Sequence, residues 1–217
     1  MTARTRLTPE QRRKQLLDLG AGLFADQHYD DVHIEQVAEL AGVSRGLLYH
    51  YFPTKRAFFA ELVRRETDRM MSDTAPDPDL PILEQLRHGI DAYLANCLSN
   101  RFGSQAVYQG AASSDPEVVA IIEESTSIEE ERILAAINPG RSHPPLLRIA
   151  VRSWLVMLRN ACQQWLATDD VAAQDVRQMA EHALLGALFG LPDAARPRGL
   201  AVLLSDAAAA GGPSDGS

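Results

Sequence analysis

Val37-Ala38-Glu39-Leu40-Ala41-Gly42-Val43-Ser44-Arg45-Gly46-Leu47-Leu48-Tyr49-His50-Tyr51-Phe52-Pro53-Thr54-Lys55 reads as two short helices across a tight turn. Ala38 and Ala41 are small enough for the helices to approach closely. Gly42 can take the left-handed conformation that ends a helix, and Val43 turns an apolar side chain back to the core. Ser44 is an N-cap for the second helix, which stops at Phe52-Pro53. Leu48 and Phe52, four apart, face inward with Val37, leaving Arg45, Gly46, Tyr49 and His50 outward. This is the layout of a helix-turn-helix, whose second helix enters the major groove of duplex DNA.

The outward residues suit that task. Arg45, near the start of its helix, can reach the O6/N7 edge of a guanine with two parallel hydrogen bonds. Gly46 removes bulk where backbone and groove would meet. Tyr49 and Tyr51 offer hydroxyls to phosphates, and the ammonium of Lys55 can pair with the DNA backbone.

Moving outward, helix signals recur and no segment alternates with period two for long. Thr8-Pro9-Glu10-Gln11 combines a capping threonine, a proline at the first helical position and the glutamine of a capping box. The helix it opens runs to about Gln27, with Leu16, Leu19, Leu23 and Phe24 on one face. A second helix is expected near 33–40, and Thr54 caps a fourth that reaches about Met71. Residues 72–81, with three prolines and three aspartates, read as a linker. Five helical segments follow, at about 80–98, 102–111, 116–137, 145–167 and 171–189. The expected architecture is all-α. It has a three-helix helix-turn-helix domain over 1–55, a connecting helix over 56–72, a helical body over 73–204 and a disordered Ala/Gly/Ser-rich tail over 205–217.

Charge follows the same division. The net charge is −8, yet residues 1–72 hold eleven basic and ten acidic side chains, against ten and nineteen in the remainder. Arg4, Arg6, Arg12, Arg13 and Lys14 face only Glu10 in the first fourteen residues. A basic arm on a near-neutral head suits phosphate attraction at that end. No apolar leader opens the chain, and Leu146–Leu158 is interrupted by Arg148 and Arg152, so neither a secretory signal nor a membrane span is expected. Cys97 and Cys162 are too far apart in sequence for a metal motif and fit a reducing compartment. The expected location is the cytoplasm, on the nucleoid through DNA.

The run 37–55, extended back through Leu23-Phe24 and forward through Phe58 and Leu62, resembles the DNA-binding signature of the TetR family of bacterial repressors. The resemblance covers about the first quarter of the chain. It implies that Ser44, Arg45, Gly46, Leu47, Tyr49, His50, Tyr51 and Lys55 contact DNA, together with His33 at the start of the second helix. Two positions depart from the family pattern: His33 and Leu47 stand where the family commonly has threonine. Histidine caps poorly, and leucine cannot donate to phosphate but can meet a thymine methyl. The resemblance also implies that the last two helices form a four-helix homodimer interface, here with Trp165, Met179, Ala183, Ala187 and Gly190. A two-fold dimer would set its recognition helices roughly 35 Å apart and read a palindromic operator.

The body's chemistry is less legible. Tyr93, Cys97, Phe102, Tyr108, Trp154, Met157 and Asn160 are candidate contacts for a small, lipophilic effector, though aromatics at helical spacing also make ordinary core. Arg148, Arg152 and Arg159 share a helix face and either hold a ligand carboxylate or pair with the acids of 123–131. His88 and Asp91 form a surface pair rather than a metal site. With no nucleophile elbow, zinc motif, phosphate-cradling glycine loop or cysteine cluster, no catalytic residue, cofactor or metal is expected. The leading expectation is a homodimeric repressor released from its operator by a small molecule. The alternatives are a DNA-binding regulator controlled by a protein partner or its own abundance, and a helical-bundle enzyme or carrier with a relic head.

Overall fold

A computed structural model describes residues 7–108, 112–140, 142–168 and 170–199; the basic side chains of Arg4 and Arg6 and the tail over 205–217 lie outside them. The described residues form α-helices and one 3₁₀ turn, with no strand among them. In chain order the helices are α1 (Pro9–Asp26), α2 (Glu35–Ala41), α3 (Arg45–Tyr51), α4 (Lys55–Asp73), α5 (Ile82–Ser99), α6 (Arg101–Tyr108), α7 (Pro116–Ile137), α8 (Pro145–Leu166) and α9 (Ala173–Phe189). They fall into two compact units, residues 1–69 with 99–122, and residues 70–98 with 123–217.

In the first unit the expected capping chemistry is present. Thr8 Oγ1 accepts from the Gln11 N–H at 3.2 Å while Gln11 Oε1 accepts from the Thr8 N–H at 2.9 Å, closing the box on α1. Thr54 caps α4 by accepting from the Ala57 N–H. Helix α1 buries Leu16, Leu17, Gly20 and Phe24. Their neighbours are Val37, Leu48, Phe52, Phe58 and Phe59, which make an aromatic-rich core. Phe58 sits at its centre, its ring 4.7 Å from that of Phe52 and edge-on to it. It lies so close to α1 that a Cβ on Gly20 would come within 2.3 Å of the ring, so only glycine fits there.

One boundary expectation is corrected. The linker over 72–81 does turn the chain, but residues 99–122 belong to the first unit, not to a body beginning at 73. Ala106, Val118 and Ile121 are buried in the same core as Phe58, and Phe102 packs edge-on against His28 at 4.6 Å. An amphipathic helix announces that it buries a face; it does not announce against which neighbour.

The second unit is built on α5, the C-terminal part of α7, α8 and α9, around Leu83, Ile90, Leu94, Leu134, Leu147, Val151, Leu184 and Leu188. Trp154 Nε1–H donates to the Ala180 carbonyl at 2.8 Å, satisfying a buried indole while tying α8 to α9. Arg87 grips the buried carboxylate of Glu181 with two hydrogen bonds of 2.9 Å, which compensates its desolvation.

Candidate functional site

The turn between α2 and α3 is set by backbone chemistry. Gly42 closes α2 with φ 63° and ψ 39°, the left-handed conformation that a Cβ would strain. Ser44 then caps α3, its hydroxyl accepting from the Leu47 N–H at 3.2 Å. Leu48 and Phe52 are buried on the inner side of α3. Ser44, Arg45, Gly46, Leu47, Tyr49 and His50 are exposed on the outer side, and Tyr51 and Lys55 are half-buried. A Cβ on Gly46 would meet nothing closer than the Ser44 hydroxyl at 4.0 Å. The protein's own packing therefore does not require that glycine, which leaves the surface as the reason for its lack of bulk. Leu47 is 36% exposed, so a thymine methyl can reach it.

The N-cap of α2 is Ile34, with no side-chain capping bond, so His33 stands one residue before the cap and not at it. Gln36 Oε1 accepts from the His33 N–H at 3.2 Å, which satisfies that N–H just ahead of the helix. The i,i+3 spacing of His33 and Gln36 carried that signal. It leaves the imidazole uncommitted by capping, just ahead of α2.

Three side chains of this surface make contacts that have no sequence signature. Tyr49 donates from its hydroxyl to Glu35 Oε1 at 2.6 Å, which holds the Glu35 carboxyl below and the Tyr49 phenol above their ordinary ranges. Arg45 lies 3.7 Å from Glu39, with both side chains exposed. Lys55 sits over the ring of Tyr29, 4.4 Å from its centroid, and donates to the Asp30 carbonyl at 3.4 Å. Burial is the leading cause that lowers the ammonium's pKa. The lysine is thus pre-positioned by the α1–α2 connection, and its charge is near the surface rather than freely swinging. Of the expected basic arm, Arg12, Arg13 and Lys14 are engaged with Gln15, Glu61 and Asp18.

In the second unit, a mostly apolar cavity of about 120 Å³ opens between α5, α7, α8 and α9. Of the seven proposed effector contacts, Tyr93 and Trp154 line it. The others do not. Phe102 and Tyr108 belong to the first unit, Asn160 is exposed on α8, Met157 packs half-buried against the core, and Cys97 is buried. Cys97 hydrogen-bonds Cys162 instead, which with burial raises the Cys162 thiol far above its ordinary range and leaves it unreactive. Arg148 and Arg152 take the structural alternative, pairing with Glu130, Glu131 and Glu123, whereas Arg159 lines the cavity. Among the described residues no cluster has the make-up of a metal site, and no helix is long and apolar enough to cross a membrane.

The last two helices are not buried all round. Met179, Ala183, Gly186, Ala187 and Gly190 form an exposed stripe along α9, and Leu146, Ile149, Val156 and Asn160 form one along α8. Trp165, proposed as part of that face, is instead 8% exposed, with Nε1–H donating to the Val171 carbonyl at 2.8 Å.

Comparison with known proteins bears on both units. Residues 16–62 match the family model described as bacterial regulatory proteins, tetR family. The chain is 25% identical over 135 residues to the HTH-type transcriptional activator FasR of Mycolicibacterium smegmatis, covering 61% of this chain and 62% of that protein. It is 31% identical over 110 residues to the HTH-type transcriptional repressor KstR2 of the same organism, covering 48% of this chain and 51% of that one. The matches thus span less than two thirds of either relative. A solved tetR-family transcriptional regulator from Streptomyces coelicolor shares the fold with a TM-score of 0.82 and 23% identity, over 97% of this chain and 93% of that one.

Proposed function

We propose that the head of this chain, where residues 16–62 match the tetR family model, is a TetR-type DNA-binding domain, and that the protein is a homodimeric repressor that reads a palindromic operator through α3 and leaves it when a small ligand occupies the body. The observation that carries this reading is the exposed outer face of α3, on which Arg45, Gly46, Leu47, Tyr49 and His50 stand clear of a buried inner face of Leu48 and Phe52. That division lets a rigid helix enter a groove without loss of its own packing. Arg45 reads a base edge, Tyr49 and Lys55 meet phosphates, and Leu47 touches a thymine methyl.

The exposed small and apolar stripes on α8 and α9 support the dimer. A two-fold axis through such a face makes it self-complementary and repeats the head at the spacing of successive major grooves. The cavity supports a ligand; a body packed solid would have favoured control by a protein partner. The fourth helix places Phe58 in the core of the first unit and Met70 on the wall of the cavity, so ligand binding in one and DNA binding in the other involve the same helix. A ligand acts on the operator only to the extent that it binds the released form more tightly.

Replacing Arg45 with Ala is expected to cost about 1–3 kcal/mol in operator affinity and to relax discrimination at one base position. Gel shifts against operators substituted at each position measure this, and unchanged specificity would remove Arg45 from base reading. Lys55→Ala is expected to weaken binding to all sequences alike and to lower the slope of log affinity against log salt by about one. An unaltered slope would take Lys55 out of the phosphate contacts.

A further inference from the structure

Four of the residues expected to contact DNA share one carboxylate, that of Glu35 in the first turn of α2. The Tyr49 hydroxyl donates to its Oε1 at 2.6 Å, and the pair is exposed where a duplex can reach it. That bond is the first of the causes that hold the Glu35 carboxyl below its ordinary range. Its own backbone N–H is the second, and the charges of Arg45 and His33 add to these. Lys55, whose pKa burial chiefly lowers, is raised again by Asp30, Asp31 and Glu35. Glu39, one turn further along α2, lies 3.7 Å from Arg45.

We propose that Glu35 is a built-in competitor for the DNA backbone: it holds the Tyr49 hydroxyl in the free head, and binding to DNA exchanges its carboxylate for a phosphate. This rests on the reading of α3 as the recognition helix and adds what that helix gives up when it binds. The number of donors argues for exchange. A tyrosine hydroxyl has one hydrogen to donate, and an ionised phosphodiester oxygen only accepts. Tyr49 therefore cannot serve Glu35 and a phosphate at the same time. Charge argues that Glu35 competes rather than supports. A phosphate that approaches Tyr49, Arg45, His33 or Lys55 finds their attraction partly offset by Glu35 and is repelled by the same carboxylate. The bond that Tyr49 loses and the bond that it gains both have an anion as acceptor, so for the hydroxyl the exchange is nearly even. Contact with phosphates supplies essentially all sequence-indifferent binding, so such a competitor holds down the affinity of the head for every duplex.

The test is gel-shift titration of the full chain with a mixed-sequence duplex and with the duplex that selection from a random pool yields. Glu35→Gln is expected to bind both about tenfold more tightly, the difference between a hydrogen bond to a charged acceptor and one to a neutral amide. Tyr49→Phe should change affinity by less than about twofold in the unaltered chain and weaken binding about tenfold in the Glu35→Gln chain. Only in the second does the phosphate bond form without an equal loss. Glu39→Gln removes from the same helix a carboxylate that does not accept the Tyr49 hydrogen. It should tighten binding by only about twofold and leave the effect of Tyr49→Phe as small as in the unaltered chain. Circular dichroism establishes that the variants are folded. Three results would overturn the competitor while leaving operator recognition standing: binding by Glu35→Gln that is no tighter, equal tightening by Glu39→Gln, or a Tyr49→Phe effect that is the same in both backgrounds. If the unaltered chain binds neither duplex, the reading of α3 falls with it.

Discussion

Ala183→Glu should convert the protein from a dimer into a monomer at micromolar concentration and weaken operator binding by about 10²–10⁴-fold. Ala183 lies in the middle of the exposed α9 stripe, with Met179 one turn before it and Ala187 one turn after. In the proposed two-fold dimer a glutamate there meets its own copy or an apolar surface, so a charge loses water without gaining a partner. The cost is several kcal/mol, and the symmetry doubles it. The separated protomer should remain folded, because an exposed helix position tolerates substitution within about ±0.5 kcal/mol. Operator affinity falls because the two heads no longer bind as a linked pair, and the effective concentration that linkage supplies is lost. Sedimentation velocity and gel shifts read the two effects together. A variant that stays dimeric would show that the protomers meet elsewhere.

Phe58→Ala should destabilise the head by about 3–5 kcal/mol, a large share of the stability of an ordinary domain. Phe58 is fully buried, its ring packed edge-on to Phe52 and stacked on Phe24 at 6.2 Å, with Gly20 of α1 against its tip. Truncation empties a space bounded by two other rings and a helix backbone, none of which can collapse far into it. Phe52 is also the residue that ends α3, so the recognition helix loses its support when its neighbour is removed. Denaturant unfolding monitored by circular dichroism should show an early transition, and operator binding should disappear with it. An unchanged midpoint would mean that the aromatic cluster does not hold the helix-turn-helix together.

Much of the head was legible because its signals are local. The Thr8–Gln11 box, the left-handed Gly42, the Ser44 cap and the inward pair Leu48 and Phe52 each depend on residues a few positions apart, and each is present. What the sequence hid is long-range. Tyr49 finds Glu35 fourteen residues away, and Lys55 finds Tyr29 and the Asp30 carbonyl across the α1–α2 connection. No spacing rule joins such pairs, since they meet only after the helices cross. The assignment of residues 99–122 failed for a related reason. The chain does pass from the first unit to the second beside the proline-rich stretch over 72–81, but it returns to the first unit over 99–122, and no local residue pattern marks that return.

The body shows the same limit in its apolar residues. Helix α9 reads as apolar on more than one side, which permits either deep burial or an exposed face awaiting a partner. The structure covers Ala180, Leu184 and Leu188 and leaves Met179 47% and Phe189 59% exposed. Trp165 falls among the expected interface residues, yet its indole is satisfied within its own chain by the Val171 carbonyl. Arg159 differs from Arg148 and Arg152 only in what stands opposite it, which a helix-face argument cannot distinguish. Arg148 and Arg152 pair with the acidic run on α7, and Arg159, which acts electrostatically on Glu129 of the same run, also lines the cavity.

The central claim is that the outer face of α3 reads a particular duplex sequence. Selection of bound DNA from a random pool, followed by titration of the chain with the selected duplex and a scrambled one, tests it most directly. At physiological salt the selected duplex should carry two half-sites about ten base pairs apart, centre to centre, and bind about 10³-fold or more tightly than the scrambled one. A ratio near one, with no sequence enriched, would contradict the account.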